Sequence, residues 1–138
     1  LWRGRGGSLQ WGRAMQKGKP VVLCIDDDED VLATLRIVLE RNNYVCVEAS
    51  TAEEGLAKFR ERAPDFIIVD LMMEEVDAGT SFVKEIRAAG SQIPIYLLSS
   101  IGDQLNLSAD YVALGLSGVF QKPVNPDVLL KTIKTRLG

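Results

Sequence analysis

The sequence contains no histidine. That excludes a histidine phosphocarrier, a Ser-His-Asp hydrolase and any histidine-ligated metal enzyme. Cysteine is scarce. Cys24 and Cys46 are the only two, both inside stretches that read as strands, and they read as buried reduced thiols rather than a disulfide or redox site. No apolar run approaches the roughly 20 residues that span a bilayer, and the first residues hold no uninterrupted apolar stretch of the secretion-signal kind. A cytoplasmic location without membrane insertion is expected. Acids are missing from residues 1–20, which carry Arg3, Arg5, Arg13, Lys17 and Lys19; all 19 acids follow them. The acidic remainder is a poor direct ligand for nucleic acid, and no such binding is expected of this chain. The first 20 residues are rich in Gly and Arg, include Trp2 and Trp11, and lack periodicity. They read as a linker, a tag remnant or an upstream piece, disordered and outside the fold, with a basic contact arm as the alternative.

What remains is one domain, residues 21–138, of ordinary globular make-up: 46% hydrophobic and 25% charged over the whole chain. Four short apolar runs in it end abruptly in polar groups. Val21–Ile25 runs into Asp26-Asp27-Asp28, Phe66–Val69 into Asp70, Ile95–Leu98 into Ser99-Ser100, and Gly118–Gln121 into Lys122-Pro123. Runs so short and apolar read as strands buried on both faces. Tyr44–Ala49 is a fifth strand, and the strand that ends at Leu98 is read from Ile93. Helical spacing fills the gaps: Glu29–Arg41 with Val31, Leu32, Leu35, Val38 and Leu39 on one face, a helix opened by a Ser50–Glu53 capping box and running to Arg62, then Thr80–Ala89, a short Ser108–Leu114, and a last helix from Asn125-Pro126 to Leu137. Strands alternating with helices predict an α/β fold with a parallel sheet and right-handed crossovers. The chain stops directly after the last helix, so it reads as a stand-alone unit or a piece of a longer protein, with no effector domain of its own.

In such sheets ligands bind beyond the carboxyl ends of the strands. Asp26, Asp27, Asp28 and Asp70, the Ser99 hydroxyl and Lys122 would converge there. Each alone has a plainer account: a polar turn and helix N-cap for the acid triplet, a turn residue for Asp70, a loop starter for Ser99, a solvated lysine for Lys122. Together they suit a divalent cation and a phosphoryl group. Crowded carboxylates repel unless cations offset them, and Mg²⁺ takes oxygen ligands while keeping several waters. Asp carboxylates form covalent phosphoryl intermediates, and a lysine stabilises the charge that develops.

Ile25-Asp26-Asp27-Asp28, Val69-Asp70-Leu71-Met72-Met73, Ile93-Pro94-Ile95…Ser99-Ser100 and Gln121-Lys122-Pro123, in that order and spacing, resemble the receiver domains of two-component response regulators. The resemblance covers Val21 to Leu137. It implies a flavodoxin-like, doubly wound, five-stranded parallel sheet of order 2-1-3-4-5 with helices on both faces. It implies that Asp70 accepts a phosphoryl group from a sensor histidine kinase or phosphotransfer protein. Mg²⁺ would be held by Asp27, Asp70 and the Met72 main-chain carbonyl, with Asp26 acting through water. Ser99 would be the switch hydroxyl and Lys122 the partner of the phosphoryl oxygens, aimed by a cis Lys122–Pro123 peptide. A downstream effector protein and a phosphorylation-dependent dimer complete the implied partners. Such a protein catalyses its own phosphorylation and hydrolysis and is no turnover enzyme.

Three places depart from the family pattern. Glu74-Glu75 stands where Pro, then Gly, is usual, in a loop one residue longer; Ser100 follows the switch position where a smaller residue is usual; Val119 replaces the aromatic three residues before the lysine. Two other readings are an unphosphorylated interaction module of the same fold, which Glu74-Glu75 favours, and a Mg²⁺-dependent hydrolase with an Asp nucleophile. The second commonly needs another acid two residues after the nucleophile, where this chain has Met72.

Overall fold

The computed structural model describes residues 18–70, 78–100 and 115–137. Chain order is β1 (Val21–Ile25), α1 (Glu29–Arg41), β2 (Val45–Ala49), α2 (Ala52–Arg62), β3 (Phe66–Asp70), α3 (Ala78–Ala88), β4 (Ile95–Ser99), β5 (Gly118–Gln121) and α4 (Pro126–Leu137). The helix expected over Ser108–Leu114 lies outside the described residues. The five strands form one sheet in the order β2-β1-β3-β4-β5, every neighbouring pair parallel. The order is the one the sequence implied.

Alternation along the strands builds two cores. Val21, Leu23, Ile25, Ile67, Val69, Ile95 and Leu97 face one way, where Phe82, Val83 and Ile86 of α3 join Leu56 and Phe59 of α2. Val22, Cys24, Phe66, Ile68, Tyr96, Leu98 and Phe120 face the other way, against Leu32, Leu35 and Leu39 of α1 and Leu129 and Ile133 of α4. All residues of β1, β3 and β4 are buried, which is why these strands read as continuous apolar runs rather than alternating ones.

Several boundaries differ from the sequence reading: β3 runs on to Asp70, β4 covers Ile95–Ser99 rather than Ile93–Leu98, and α3 covers Ala78–Ala88 rather than Thr80–Ala89. β2 begins at Val45, not Tyr44, because the Tyr44 amide donates back to Leu39 O at 3.0 Å and closes the end of α1. Asn43, at φ 69°, takes the left-handed conformation that this turn requires and that Asn tolerates. The capping box of α2 is also shifted. Thr51, not Ser50, is the N-cap: its hydroxyl accepts the Glu54 amide at 3.0 Å, and Glu54 Oε1 accepts the Ser50 amide at 2.7 Å. Both registers satisfy the Ser/Thr-x-x-Glu pattern. Ser50 is displaced because β2 runs on to Ala49, whose carbonyl takes the Asp26 amide at 3.1 Å.

On the α1/α4 face three rings stack across the sheet. Phe66 and Tyr96 lie 5.1 Å apart and Tyr96 and Phe120 4.9 Å apart. Arg136 of α4 caps the stack, donating to the Tyr96 hydroxyl at 2.9 Å and to Ser117 O at 3.1 Å. Tyr96 sits beside Gly118 in the ladder, and a Cβ at Gly118 would lie 2.5 Å from Tyr96 Cε2. The ring is held between two others and cannot swing away. Gly118→Ala should therefore lower stability by about 1–3 kcal/mol, the usual range for overpacking. Gly55 of α2 offers the contrast. Its added Cβ would meet Ile25 Cδ1, the far end of a flexible side chain, at 2.5 Å, while Ala gains about 1 kcal/mol over Gly inside a helix. Urea midpoints should thus fall clearly for Gly118→Ala and much less for Gly55→Ala; the reverse order would contradict this packing.

Candidate functional site

The site forms where the chain reverses direction across the sheet. From β1 the chain passes to β2 on one side and then to β3 on the other, which leaves a crevice beyond the carboxyl ends of β1 and β3. The residue after β1 is Asp26, and the last residue of β3 is Asp70. Asp26 is fully buried and Asp70 nearly so, at 4% exposure. Asp27 is exposed at the mouth. Carboxylate oxygens of Asp26, Asp27 and Asp70 all lie within 4.8 Å of one another. β4 ends in Ser99, and Lys122 follows β5, tied to the neighbouring strand by its amide on Ser99 O at 2.7 Å. The Lys122–Pro123 peptide is cis, as the resemblance implied.

The acid triplet divides its roles. Asp28 is the N-cap of α1, with Oδ1 accepting the Asp30 amide at 2.9 Å, so one of the three follows the plain structural reading. Asp26 Oδ1 accepts the Asp28 amide at 2.9 Å, while Oδ2 faces Lys122 Nζ at 3.0 Å and has no further partner among the described residues. Lys122 Nζ also lies 3.3 Å from Asp70 Oδ1. Desolvation pulls the Lys122 pKa down, but the hydrogen bond and charge of Asp26, with those of Asp70, outweigh it and leave the ammonium more basic than an ordinary lysine. Ser99 is largely buried beside them, its hydroxyl 3.5 Å from Ser100 O. Ser100 is exposed.

Among the described residues, three carboxylates face one ammonium, and the buried Asp26 Oδ2 has only that ammonium for a partner. The hard-oxygen donor set and the surplus negative charge both fit a divalent cation such as Mg²⁺. The Met72 carbonyl and Glu74-Glu75 lie outside the described residues. Asp26, Asp27, Asp70 and Lys122 meet in this one crevice, Ser99 ends the strand beside it, and Asp28 is taken up by the N-cap of α1. Sequence reasoning missed the groove next to it. A cavity of about 390 Å³ is lined by Val31, Thr34 and Leu35 of α1 and by Lys122, Pro123 and Val124. Val31 and Leu35 were legible only as one apolar face of α1, because α1 and the turn after β5 meet through tertiary packing. Also missed was Asp65, whose Oδ2 accepts the Val21 amide at 2.8 Å while its own amide donates to Val21 O at 2.8 Å, fixing β1 against β3 below the site.

A five-stranded 2-1-3-4-5 sheet that gathers paired acids, an aspartate, a hydroxyl and a lysine at its carboxyl edge defines the flavodoxin-like receiver class. The chain belongs to the response regulator receiver domain family, whose model matches residues 22–134. It is similar to the transcriptional regulatory protein ResD of Bacillus subtilis, 32% identical over 122 residues, which cover 88% of this chain and 50% of ResD. It is also similar to the alkaline phosphatase synthesis transcriptional regulatory protein PhoP of the same organism, of which the match covers 48%. The chain thus spans about half the length of these regulators. The chemotaxis protein CheY of B. subtilis is 28% identical over 118 residues, covering 85% of this chain and 97% of CheY. Among solved structures, the chemotaxis response regulator CheY4 of Vibrio cholerae superposes with a TM-score of 0.75 at 30% identity, covering 86% of this chain and 98% of that one. A response regulator receiver domain protein from Clostridium thermocellum gives 0.76 at 26% identity, covering 85% and 93%.

Proposed function

We propose that this chain is a Mg²⁺-dependent phosphoacceptor and conformational switch in a phosphorelay, with residues 21–138 as the functional unit and residues 1–20 outside it. The observation that carries this reading is the position of Asp70: a nearly buried carboxylate within 3.3 Å of an ammonium and beside two further carboxylates suited to a cation. Asp70 attacks the phosphorus of a phosphohistidine on a sensor kinase or phosphotransfer protein. The N–P bond breaks, its electron pair returns to the imidazole nitrogen, and an aspartyl phosphate forms. Lys122 holds the developing phosphoryl oxygens from one side, and the Ser99 hydroxyl donates to another. Asp27, Asp70 and the Met72 carbonyl would hold Mg²⁺, with Asp26 acting through water; when bound, the ion neutralises the oxygens of donor and acceptor. Water later hydrolyses the acyl phosphate and resets the switch. The phosphorylated form passes the signal to an effector protein or a second copy in the cytoplasm. An unphosphorylated interaction module is the second reading, supported by Glu74-Glu75 in the sequence that follows Asp70. Incubation with acetyl phosphate and Mg²⁺ separates them. Intact mass should rise by one phosphoryl group, whereas an unchanged mass would favour the interaction module.

The two clustered acids of the first strand end should differ in metal affinity. Both Asp26 oxygens are engaged, by the Asp28 amide and by Lys122, while Asp27 is exposed. Asp27→Ala should weaken Mg²⁺ binding roughly tenfold or more, and Asp26→Ala less, because a direct ligand outweighs one acting through water. Equal losses in a calorimetric titration would count against that ranking.

The output route should also differ from that of aromatic-bearing receivers. Val119 packs into the α2/α3 core and Phe120 into the opposite one. Val119 is stiff at χ1 and has no ring to turn inward when Ser99 moves. Beryllofluoride should therefore shift amide resonances of residues 74–79 and 100–106 more than those of Val119 and α4. Large changes centred on Val119 and α4, with both of those segments quiet, would overturn this route.

A further inference from the structure

Among the described residues, a second set of reactive side chains meets away from the acid cluster. Cys24 of β1 and Cys46 of β2 are both free thiols, and their sulfurs are 3.8 Å apart. In the ladder Cys24 lies beside Glu48 and Cys46 beside Val22, so the two cysteines are diagonal neighbours on one face of the sheet. Their environments differ. Cys24 is fully buried. Cys46 is partly exposed, on the strand that forms one edge of the sheet. Neither thiol has a part in the phosphoryl chemistry.

A disulfide bond is about 2.05 Å long, so the sulfurs must approach by about 1.8 Å. β1 is fixed between β2 and β3, but β2 is paired on one side only. Side-chain rotation and the freedom of the edge strand together supply this movement.

We propose that Cys24 and Cys46 form a modification site at which a hydroperoxide closes an intramolecular disulfide. Cys46 reacts first, because it reaches solvent. Its sulfur takes one oxygen of the hydroperoxide as the O–O bond breaks; the alcohol leaves, and a sulfenic acid remains. The Cys24 sulfur then attacks the Cys46 sulfur. The S–S bond forms, the S–O bond breaks, and the departing hydroxide leaves as water with the Cys24 proton. Two thiols lose two electrons in all, and one hydroperoxide is reduced to an alcohol and a water. A small dithiol reverses the reaction by thiol–disulfide exchange.

The test treats the full chain with hydrogen peroxide, alkylates it under denaturing conditions and maps the cysteine peptides by mass after trypsin. Arg36 and Arg41 lie between the two cysteines, so a bridge joins two peptides. The folded chain should yield the joined peptides, with both cysteines protected from alkylation and dithiothreitol restoring them. Closure should be at least about tenfold faster in the folded chain than in urea, because the fold holds the sulfurs in contact. In Cys46→Ser, Cys24 should stay alkylatable. The proposal fails if Cys46 accumulates as sulfinic acid while Cys24 remains alkylatable, if Cys46 links two chains instead, or if neither cysteine reacts. Equal closure rates in folded and denatured chains also overturn it. The wild-type map decides the matter even if a variant does not fold.

Discussion

Asp70→Asn should take up no phosphoryl group from acetyl phosphate under conditions that label the wild type, a fall in rate of roughly three orders of magnitude or more. The amide keeps the shape of the carboxylate but lacks its anionic nucleophile. Neither Asp26 nor Asp28 takes over its place. Asp26 is fully buried, with one oxygen on the Asp28 amide and the other against Lys122, and Asp28 is committed to the N-cap of α1. The substitution should leave the fold intact. It removes one of three carboxylates held within 4.8 Å, so the urea midpoint should be no lower than that of the wild type. Labelling of the variant at the wild-type rate, read by intact mass, would remove Asp70 from the chemistry.

Lys122→Met should cost stability in metal-free buffer and recover much of it in Mg²⁺. Methionine retains most of the apolar stem, so the adjoining groove stays filled, but Asp26 Oδ2 and Asp70 Oδ1 lose the cation at 3.0 and 3.3 Å. Removing one partner of a fully buried pair costs about 3–5 kcal/mol. The Lys122 side chain is 20% exposed, so solvent screening lowers the expected loss to about 1–3 kcal/mol. Mg²⁺ replaces the missing charge, and its stabilising effect should be larger in the variant than in the wild type. The pH dependence has a definite sign. The folded Lys122 is more basic than in the unfolded chain, so its contribution is complete below the ordinary lysine value of about 10.4 and is lost as pH rises through the raised value. The stability gap between wild type and variant should hold through neutral pH and close only in strong alkali. Urea titrations with EDTA and with Mg²⁺ measure both effects; an equal response to Mg²⁺ in the two proteins would mean that lysine and metal do not share one site.

Much of this was readable in the chain because burial on both faces leaves a blunt signature. β1 is apolar throughout, and β3 and β4 are apolar up to their last residue, so the polar residue that stops each run stands out, and those stops are Asp26, Asp70 and Ser99. Strand order was different. Alternating strands and helices predict a parallel sheet but not which strand lies in the middle; the order came from the resemblance carried by the four motifs. Decisions settled by a single competing hydrogen bond were not readable. Ser50 and Thr51 offer equivalent capping boxes, and the choice followed from where β2 ends. Tyr44 looked like a strand residue until its amide was seen to close α1. Contacts between elements distant in sequence left no local trace, and that is true of the α1 wall of the groove, the Arg136 cap on Tyr96 and the Cys24–Cys46 contact. Phe120 was the favourable case. Strict alternation along β5 put it opposite Val119 and into the core, where it lies.

The most direct measurement is chemical mapping of the phosphorylated residue. Borohydride reduces an aspartyl phosphate to homoserine, and the peptide between Arg62 and Lys84 contains Asp70 and none of Asp26, Asp27 or Asp28. After treatment with acetyl phosphate and Mg²⁺, then borohydride, homoserine should be found at position 70 alone, and omission of Mg²⁺ should abolish it. Homoserine at Asp26, Asp27 or any acid other than Asp70, or equal conversion in the presence of EDTA, would contradict the assignment.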